Sequence, residues 1–283
     1  MIEIGVIFGI ISMFAWGISD FLAARSVKKE SVFSVFFWSQ MASTLLLFIL
    51  FRKFDFSGIS AKALIFIIIT SVVDIVAYLA YYKAFSVGKT SIISPVVSCW
   101  AAVTVVLSVI LFGEKLSAVQ VLGILLAIFG SVFISFKIHE IRGRKIKSKG
   151  LGLAVIAMLA WGSQVVFIRA LVGELGWFMP TILIKLALIP IAFIYAKASK
   201  QGLNLSKKSI VPMIAVGALE SIGFLAISYG INSAYASIVA PVSAAFPLVT
   251  ILLARIFFKE TMEGNQKIGA IMIIAGIILL SVA

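Results

Sequence analysis

Two carboxylates and one ammonium stand inside apolar runs where a chain of this kind should carry no charge. Asp74 is at the middle of the run from Lys62 to Pro95, Glu220 at the middle of the run from Ser209 to Pro241, and Lys185 near the middle of a third. The two acids are 146 residues apart, as are Pro95 and Pro241. A charge at the centre of a bilayer costs about 2.5–3.5 kcal/mol even on lenient insertion scales. Groups kept at that cost have two uses. A buried carboxyl can exchange its proton for a cationic group, and a buried ammonium can meet a carboxylate or a substrate. They can also be purely structural, as hydrogen bonds and Lys–acid pairs that hold helices together.

The neighbours at helical spacing extend the candidate set. Asp74 shares a face with Thr70, Tyr78 and Tyr81; Glu220 shares one with Gly217, Gly223, Phe224 and Ile227. Trp16, near Ser12 and Ser19, and Trp161, near Gln164, lie too deep in their runs for an interfacial aromatic belt. They either flank a cavity of mixed polarity or pack helices. Pro95 and Pro241 interrupt the first part of their runs and free a carbonyl, lining a site, forming a hinge or setting shape. The expected substrate-binding residues are therefore Trp16, Tyr78, Tyr81, Pro95, Trp161, Gln164, Lys185, Phe224 and Pro241, with Asp74 and Glu220 as proton-coupling groups. Gln40 is the counterpart of Lys185 at an offset of 145. Asp20 reads as a partner of Arg25, Lys83 and Arg169 as snorkelling cations, and Cys99 as packing. One histidine, His139 in a basic loop, and one cysteine make no catalytic or metal constellation, and no G-x-x-x-x-G-K-[ST] is present. Neither a cofactor nor an enzymatic activity is expected.

These residues must be positioned by membrane helices. The 283 residues are 62% hydrophobic and 12% charged, with mean hydropathy +1.19, against about 45–50% apolar in soluble domains. The start of the chain reads as a retained first helix without a signal-peptide n-region. Ten runs are long enough to span, at about 4–22, 33–51, 63–86, 91–112, 117–136, 151–170, 177–196, 210–231, 234–257 and 266–282. Residues 1–136 and 150–283 form two five-span repeats around a basic linker, 137–149. Ala15-Trp16-Gly17 returns as Ala160-Trp161-Gly162, and Phe112-Gly113-Glu114-Lys115 as Phe258-Lys259-Glu260-Thr261. Five being odd, the second repeat enters the membrane from the opposite side, an inverted repeat of the kind that places a transport site near the midplane. The net charge of +13 is spread over short loop clusters and does not indicate nucleic acid.

The ten helices in two inverted halves, the Ala-Trp-Gly of each first helix, the Pro-Val of each fourth and the closing Phe-Gly-Glu-Lys and Phe-Lys-Glu resemble the drug/metabolite transporter superfamily, and among it the EamA-type exporters. The resemblance covers essentially the whole chain. It implies an all-α membrane protein with a basket of helices around a central cavity, lined mainly by spans one, three, four, six, eight and nine. It also implies that Glu114 and Glu260 are helix-end signature residues with a structural role, and that the cargo is a small metabolite.

Together these readings give a secondary transporter, with proton-linked export of a small metabolite such as an amino acid as the expectation. Uptake of a sugar or quaternary amine, or lipid handling, are the alternatives. Its expected partners are the small-molecule substrate, membrane lipids and a proton or other coupling ion, with the chain a monomer or homodimer in the plasma membrane. Of 24 Lys and Arg, 17 fall in loops after odd-numbered spans, 5 after even-numbered ones, and Lys83 and Lys185 lie within spans. The bias puts the 137–149 linker in the cytoplasm and both termini outside. Single cysteines placed at 142–147 should therefore resist impermeant thiol reagents in intact cells; strong labelling there would reverse the orientation.

Overall fold

A computed structural model describes residues 2–26, 29–50, 59–87, 90–138, 150–259 and 261–282. Most of the 137–149 linker, with His139, and also Glu260 lie outside them. The first repeat supplies α1 (Ile2–Ser26), α2 (Val32–Leu50), α3 (Ala61–Val87), α4 (Thr90–Ser98), α5 (Trp100–Phe112) and α6 (Ala118–Ile134). The second supplies α7 (Leu151–Leu175), α8 (Met179–Ala198), α9 (Ile210–Ser233), α10 (Ala236–Ser243), α11 (Phe246–Phe258) and α12 (Gly264–Val282). Among the described residues nine stretches qualify by length and composition as membrane spans, and α6 is a shorter apolar helix, so the ten expected apolar segments are present. The chain is all-α and built from two repeats.

Spans four and nine are each interrupted, though beyond the prolines expected to interrupt them. Each is two helices: α4 gives way to α5 at Cys99, and α10 to α11 at Ala244–Ala245. Pro95 and Pro241 do not sit at these breaks. They lie inside α4 and α10, and the chain breaks about a turn later. A proline removes one N–H and crowds the preceding turn, so the helix runs on past it with weakened support. At Cys99 the N–H bonds back to Val96 O at 3.2 Å, a tighter turn than the α-helix makes, and the thiol donates to Pro95 O at 3.4 Å.

The two repeats interlock, and their contacts come in matched pairs. α1 packs on α9 as α7 packs on α3; α2 packs on α9 as α8 packs on α3; α1 packs on α11 as α7 packs on α5. α6 and α12 pair with each other. Each relation crosses from one repeat to the other, so a single repeat holds little of the core. Large side chains such as Ile7, Ile11 and Phe14 of α1 or Ile271, Ile274 and Ile278 of α12 face outward, while serines and threonines are buried. That is the pattern of a helix bundle solvated by lipid, where close packing and interhelical hydrogen bonds replace the hydrophobic effect between helices.

The α6–α12 seam shows what close packing requires. A Cβ on Gly130 would lie 2.8 Å from Gly269 O, and one on Gly123 would lie 3.1 Å from Gly276 O. Reciprocally, a Cβ on Gly276 would lie 2.7 Å from Gly123 O. The seam is closed at its ends by polar caps. Ser117 and Gln120 form a capping box at the start of α6, and Asn265 and Gln266 donate to the carbonyls of Phe133, Ile134 and Phe136 at its end.

One carboxylate joins the repeats at a helix end. Glu114, 6% exposed, accepts from the N–H groups of Ala236 and Ser237 at 3.0 Å each, and from the Ser237 hydroxyl. It thereby satisfies the orphan donors that open α10, where Tyr235 itself offers no side-chain cap. Outside the spans, Glu30 accepts from Ser209 Oγ (2.6 Å) and Ser206 N (3.2 Å), and these bonds hold its carboxyl below the usual range.

Two stability predictions follow from this packing. Gly130→Leu should collapse the α6–α12 seam, because the inserted side chain meets the α12 backbone at Gly269 and Ile273; cores accept such overpacking only at about 1–3 kcal/mol or more. A lowered unfolding midpoint in detergent checks it, and an unchanged midpoint counts against the seam. Gly113 and Lys259 end α5 and α11 at matched positions, both left-handed, at φ 64° and φ 54°. A non-glycine residue there is strained by about 1 kcal/mol. Lys259→Gly should accordingly raise the midpoint and Gly113→Val lower it, by the same thermal assay.

Candidate functional site

The pairing of α1 with α9 and of α7 with α3 brings both acids to one buried polar centre. Asp74 is 0% exposed, Lys185 1% and Glu220 8%. Lys185 Nζ donates to Gln40 Oε1, so the two residues matched by the repeat offset meet each other. The same ammonium lies 4.2 Å from the centroid of the Phe224 ring and interacts electrostatically with both carboxyls. Spans two and seven, outside the set implied by the family resemblance, thus place Gln40 and Lys185 in the centre.

Each acid is served by the first helix of the opposite repeat, through residues three apart. On α7, Trp161 Nε1 donates to Asp74 Oδ1 at 3.3 Å, and Gln164 lies beside the same carboxyl. On α1, Ser19 Oγ donates to Glu220 Oε1 at 3.1 Å; it stands three residues after Trp16, as Gln164 does after Trp161. Tyr78 OH donates to Glu220 Oε2 at 3.3 Å, reaching from the helix of one acid to the other acid. The half-sites are not equal. Both Glu220 oxygens accept from hydroxyls, whereas the Asp74 carboxyl is served by the Trp161 indole and the Gln164 amide; among the described residues Trp16 Nε1 has no hydrogen-bond partner.

Aromatic rings enclose this centre. Trp161 is contacted edge-on by Tyr78 at 5.2 Å and Tyr81 at 5.1 Å. Trp16 contacts Phe224 at 5.4 Å and Trp100 at 6.2 Å, and its indole fills the notch left by the missing side chain of Gly223. The small residue of each Ala-Trp-Gly motif has its own task. A Cβ on Gly17 would lie 2.8 Å from Phe246 O, and one on Gly162 would lie 2.6 Å from Trp100 O. Glycine lets the second half of each broken span press against the first helix, where Thr250 Oγ1 donates to Gly17 O (3.0 Å) and Thr104 Oγ1 to Gly162 O (2.8 Å). The tryptophan beside each glycine is thereby fixed in the centre.

Of the residues expected from sequence, Trp16, Tyr78, Tyr81, Trp161, Gln164, Lys185, Phe224, Asp74 and Glu220 are all drawn together here. Pro95 and Pro241 act through the backbone of α4 and α10. Thr70 does not join Asp74: its hydroxyl donates to Phe66 O at 2.6 Å. Asp20 lies close enough to Glu220 for the two carboxyls to repel when both are charged, which places it at the edge of the centre. Arg169 places its guanidinium 5.9 Å from the Phe112 ring, a cation seated on a helix end. Ser19, named in the sequence only as a neighbour of Trp16, is a donor to Glu220, and Thr104, Thr250 and Trp100 join the site unmarked by their residue types, although the repeat offset links Thr104 to Thr250.

Known proteins give the same frame. Over 281 residues the chain is 24% identical to an uncharacterized transporter of Archaeoglobus fulgidus, covering 97% of each chain. It is 28% identical over 195 residues to a "probable amino-acid metabolite efflux pump" of Salmonella typhimurium, covering 65% of this chain and 64% of that one. A Methanocaldococcus jannaschii protein is 32% identical over 133 residues, 47% of this chain and 95% of that protein, which is the length of one repeat. A solved crystal structure shares the fold with TM-score 0.78 at 15% identity, covering 98% and 96% of the two chains. The EamA-like transporter family matches twice, over residues 3–136 and 148–282. With a buried, two-fold polar centre between two matched repeats, this chain is a membrane transporter that belongs to the EamA-like transporter family.

Proposed function

We propose that the protein is a proton-linked secondary exporter of a small amine-bearing metabolite, with amino acids as the first class to test. The observation that carries this reading is the charge count at the centre. Asp74, Glu220 and Lys185 are buried within electrostatic reach of one another. With Asp20 protonated beside Glu220, the otherwise fully ionised trio carries one net negative charge in a medium where an uncompensated charge is costly. One added proton makes it neutral; so does one substrate ammonium. The two are therefore alternatives at the same site, and exchanging one for the other as the repeats open to opposite sides is antiport.

Lys185 sets the stoichiometry in this scheme. Its ammonium balances one carboxylate permanently, so only a single positive charge is left to be exchanged. The aromatic groups around Trp161 and Trp16 offer apolar walls to a side chain, which supports amino compounds over sugars. The efflux pumps of the enteric relatives bear the same word, amino acid, in their names.

Transport in proteoliposomes tests the scheme. Asp74→Asn and Glu220→Gln keep shape and hydrogen bonding but remove titration, and each should abolish amino-acid flux driven by a pH gradient while leaving the protein folded. Glu174→Gln, at the exposed end of α7, is the control and should transport as the parent does. If both acid variants respond to the pH gradient like the parent, the acids are structural and proton coupling falls.

A further inference from the structure

We propose that the turn joining α11 to α12 is a seat for the phosphate of an anionic lipid headgroup. A cavity of about 360 Å³ opens there, lined by Arg255, Lys259, Thr261, Met262 and Lys267. Three of these five residues are cations, and among the described residues no carboxylate joins them in the lining. Arg255, in the last turn of α11, gives Nη1 to Met262 Sδ at 3.7 Å, and a thioether is a weak acceptor. Arg255, Lys259, Thr261 and Lys267 are all exposed, so the cavity lies open at the end of span nine. Glu263, the half-buried acid of the same turn, stands outside the lining, and Glu260 is not among the described residues.

The fold does not need these cations. At the repeat offset of 146, Arg255, Lys259 and Lys267 correspond to Val109, Gly113 and Val121, and Lys115, opposite Thr261, is the one cation at the five matched positions. Two of the three cations are also placed against local preference. Lys259 holds a left-handed φ of 54°, which strains a side chain, where its twin is a glycine. Lys267 stands in the first turn of α12, beside the positive end of the helix dipole. Membrane orientation requires cations in the loop and is indifferent to where they stand, so it explains neither position. An anion held between the three explains both. Its source is lipid because the flanking side chains are exposed and apolar: Ile256 and Phe257 next to Arg255, and Ile268 and Ile271 next to and one turn beyond Lys267. Acyl chains solvate those surfaces, which brings headgroups to the level of the cavity. A headgroup seated there links the end of α11 to the start of α12.

The test counts bound lipid on the full-length protein in detergent by native mass spectrometry, titrating dioleoylphosphatidylglycerol or dioleoylphosphatidylcholine. The parent should bind the anionic lipid about tenfold more tightly, and excess inorganic phosphate should not displace it. Arg255→Gln, Lys259→Gly and Lys267→Gln should each weaken phosphatidylglycerol about fivefold, the equivalent of about 1 kcal/mol per cation near an anionic surface, and leave phosphatidylcholine within about twofold. Lys259→Gly should do so while raising the lipid-free unfolding midpoint, the opposite of what losing a structural contact does. The control neutralises three exposed cations of the loop between spans seven and eight, on the same membrane face: Lys200→Gln, Lys207→Gln and Lys208→Gln together. It should keep the preference for phosphatidylglycerol within about twofold of the parent's. No preference in the parent, or unchanged binding in the three cavity variants, would overturn the seat. An equal loss in the control would also overturn it, by assigning the preference to the charge of the whole face. Displacement by inorganic phosphate would overturn the lipid as occupant and leave a free anion in its place.

Discussion

Everything at the centre of this molecule follows from taking an ammonium out of water. Stripping Lys185 of its hydration costs several kcal/mol that the surroundings must offset. The structure does so in three ways: an amide oxygen from Gln40, the face of the Phe224 ring, and two carboxyls that share its field. The carboxyls in turn need donors, and Trp161, Ser19 and Tyr78 supply them. Six helices are committed by these contacts alone. Moving any of them disturbs the balance of charge at the centre.

The repeats are joined by contacts drawn from both of them. Their first helices are clamped by glycine contacts and threonine bonds to the second halves of the opposite broken spans. Glu114 ties the end of α5 to the start of α10 across the same boundary. The pieces that hold together are thus assembled from both repeats, and the breaks at Cys99 and Ala244–Ala245 separate them within spans four and nine. Stiff units with short interruptions suit hinge-like motion better than ten continuous rods do.

The repeat offset made most of this legible from sequence. Adding 145 or 146 to a residue number found both acids, both tryptophans, the Lys185–Gln40 pair and the two proline spans. Contacts between distant segments were hidden wherever the residue type was ordinary. A serine such as Ser19 looks like any helix serine until Glu220 is placed 3.1 Å away. Glu114 could be read as a structural helix-end residue from its family signature, but its partners lie more than 120 residues on, at Ala236 and Ser237. The breaks were misplaced because proline marks where a helix is weakened, while neighbouring packing decides where it parts.

The meeting of Lys185 with Gln40 has an evolutionary consequence. Matched positions of two repeats face each other across their common axis, so an assembly of two identical five-helix chains would put like against like there. Two lysines would repel at close range in a dry interior, and two glutamines would leave the acids without a counter-charge. Joining the halves in one chain removes that restriction: a substitution in one copy is no longer imposed on the other. The unequal half-sites around Asp74 and Glu220 are the same freedom at work, with an indole and an amide serving one acid and two hydroxyls the other.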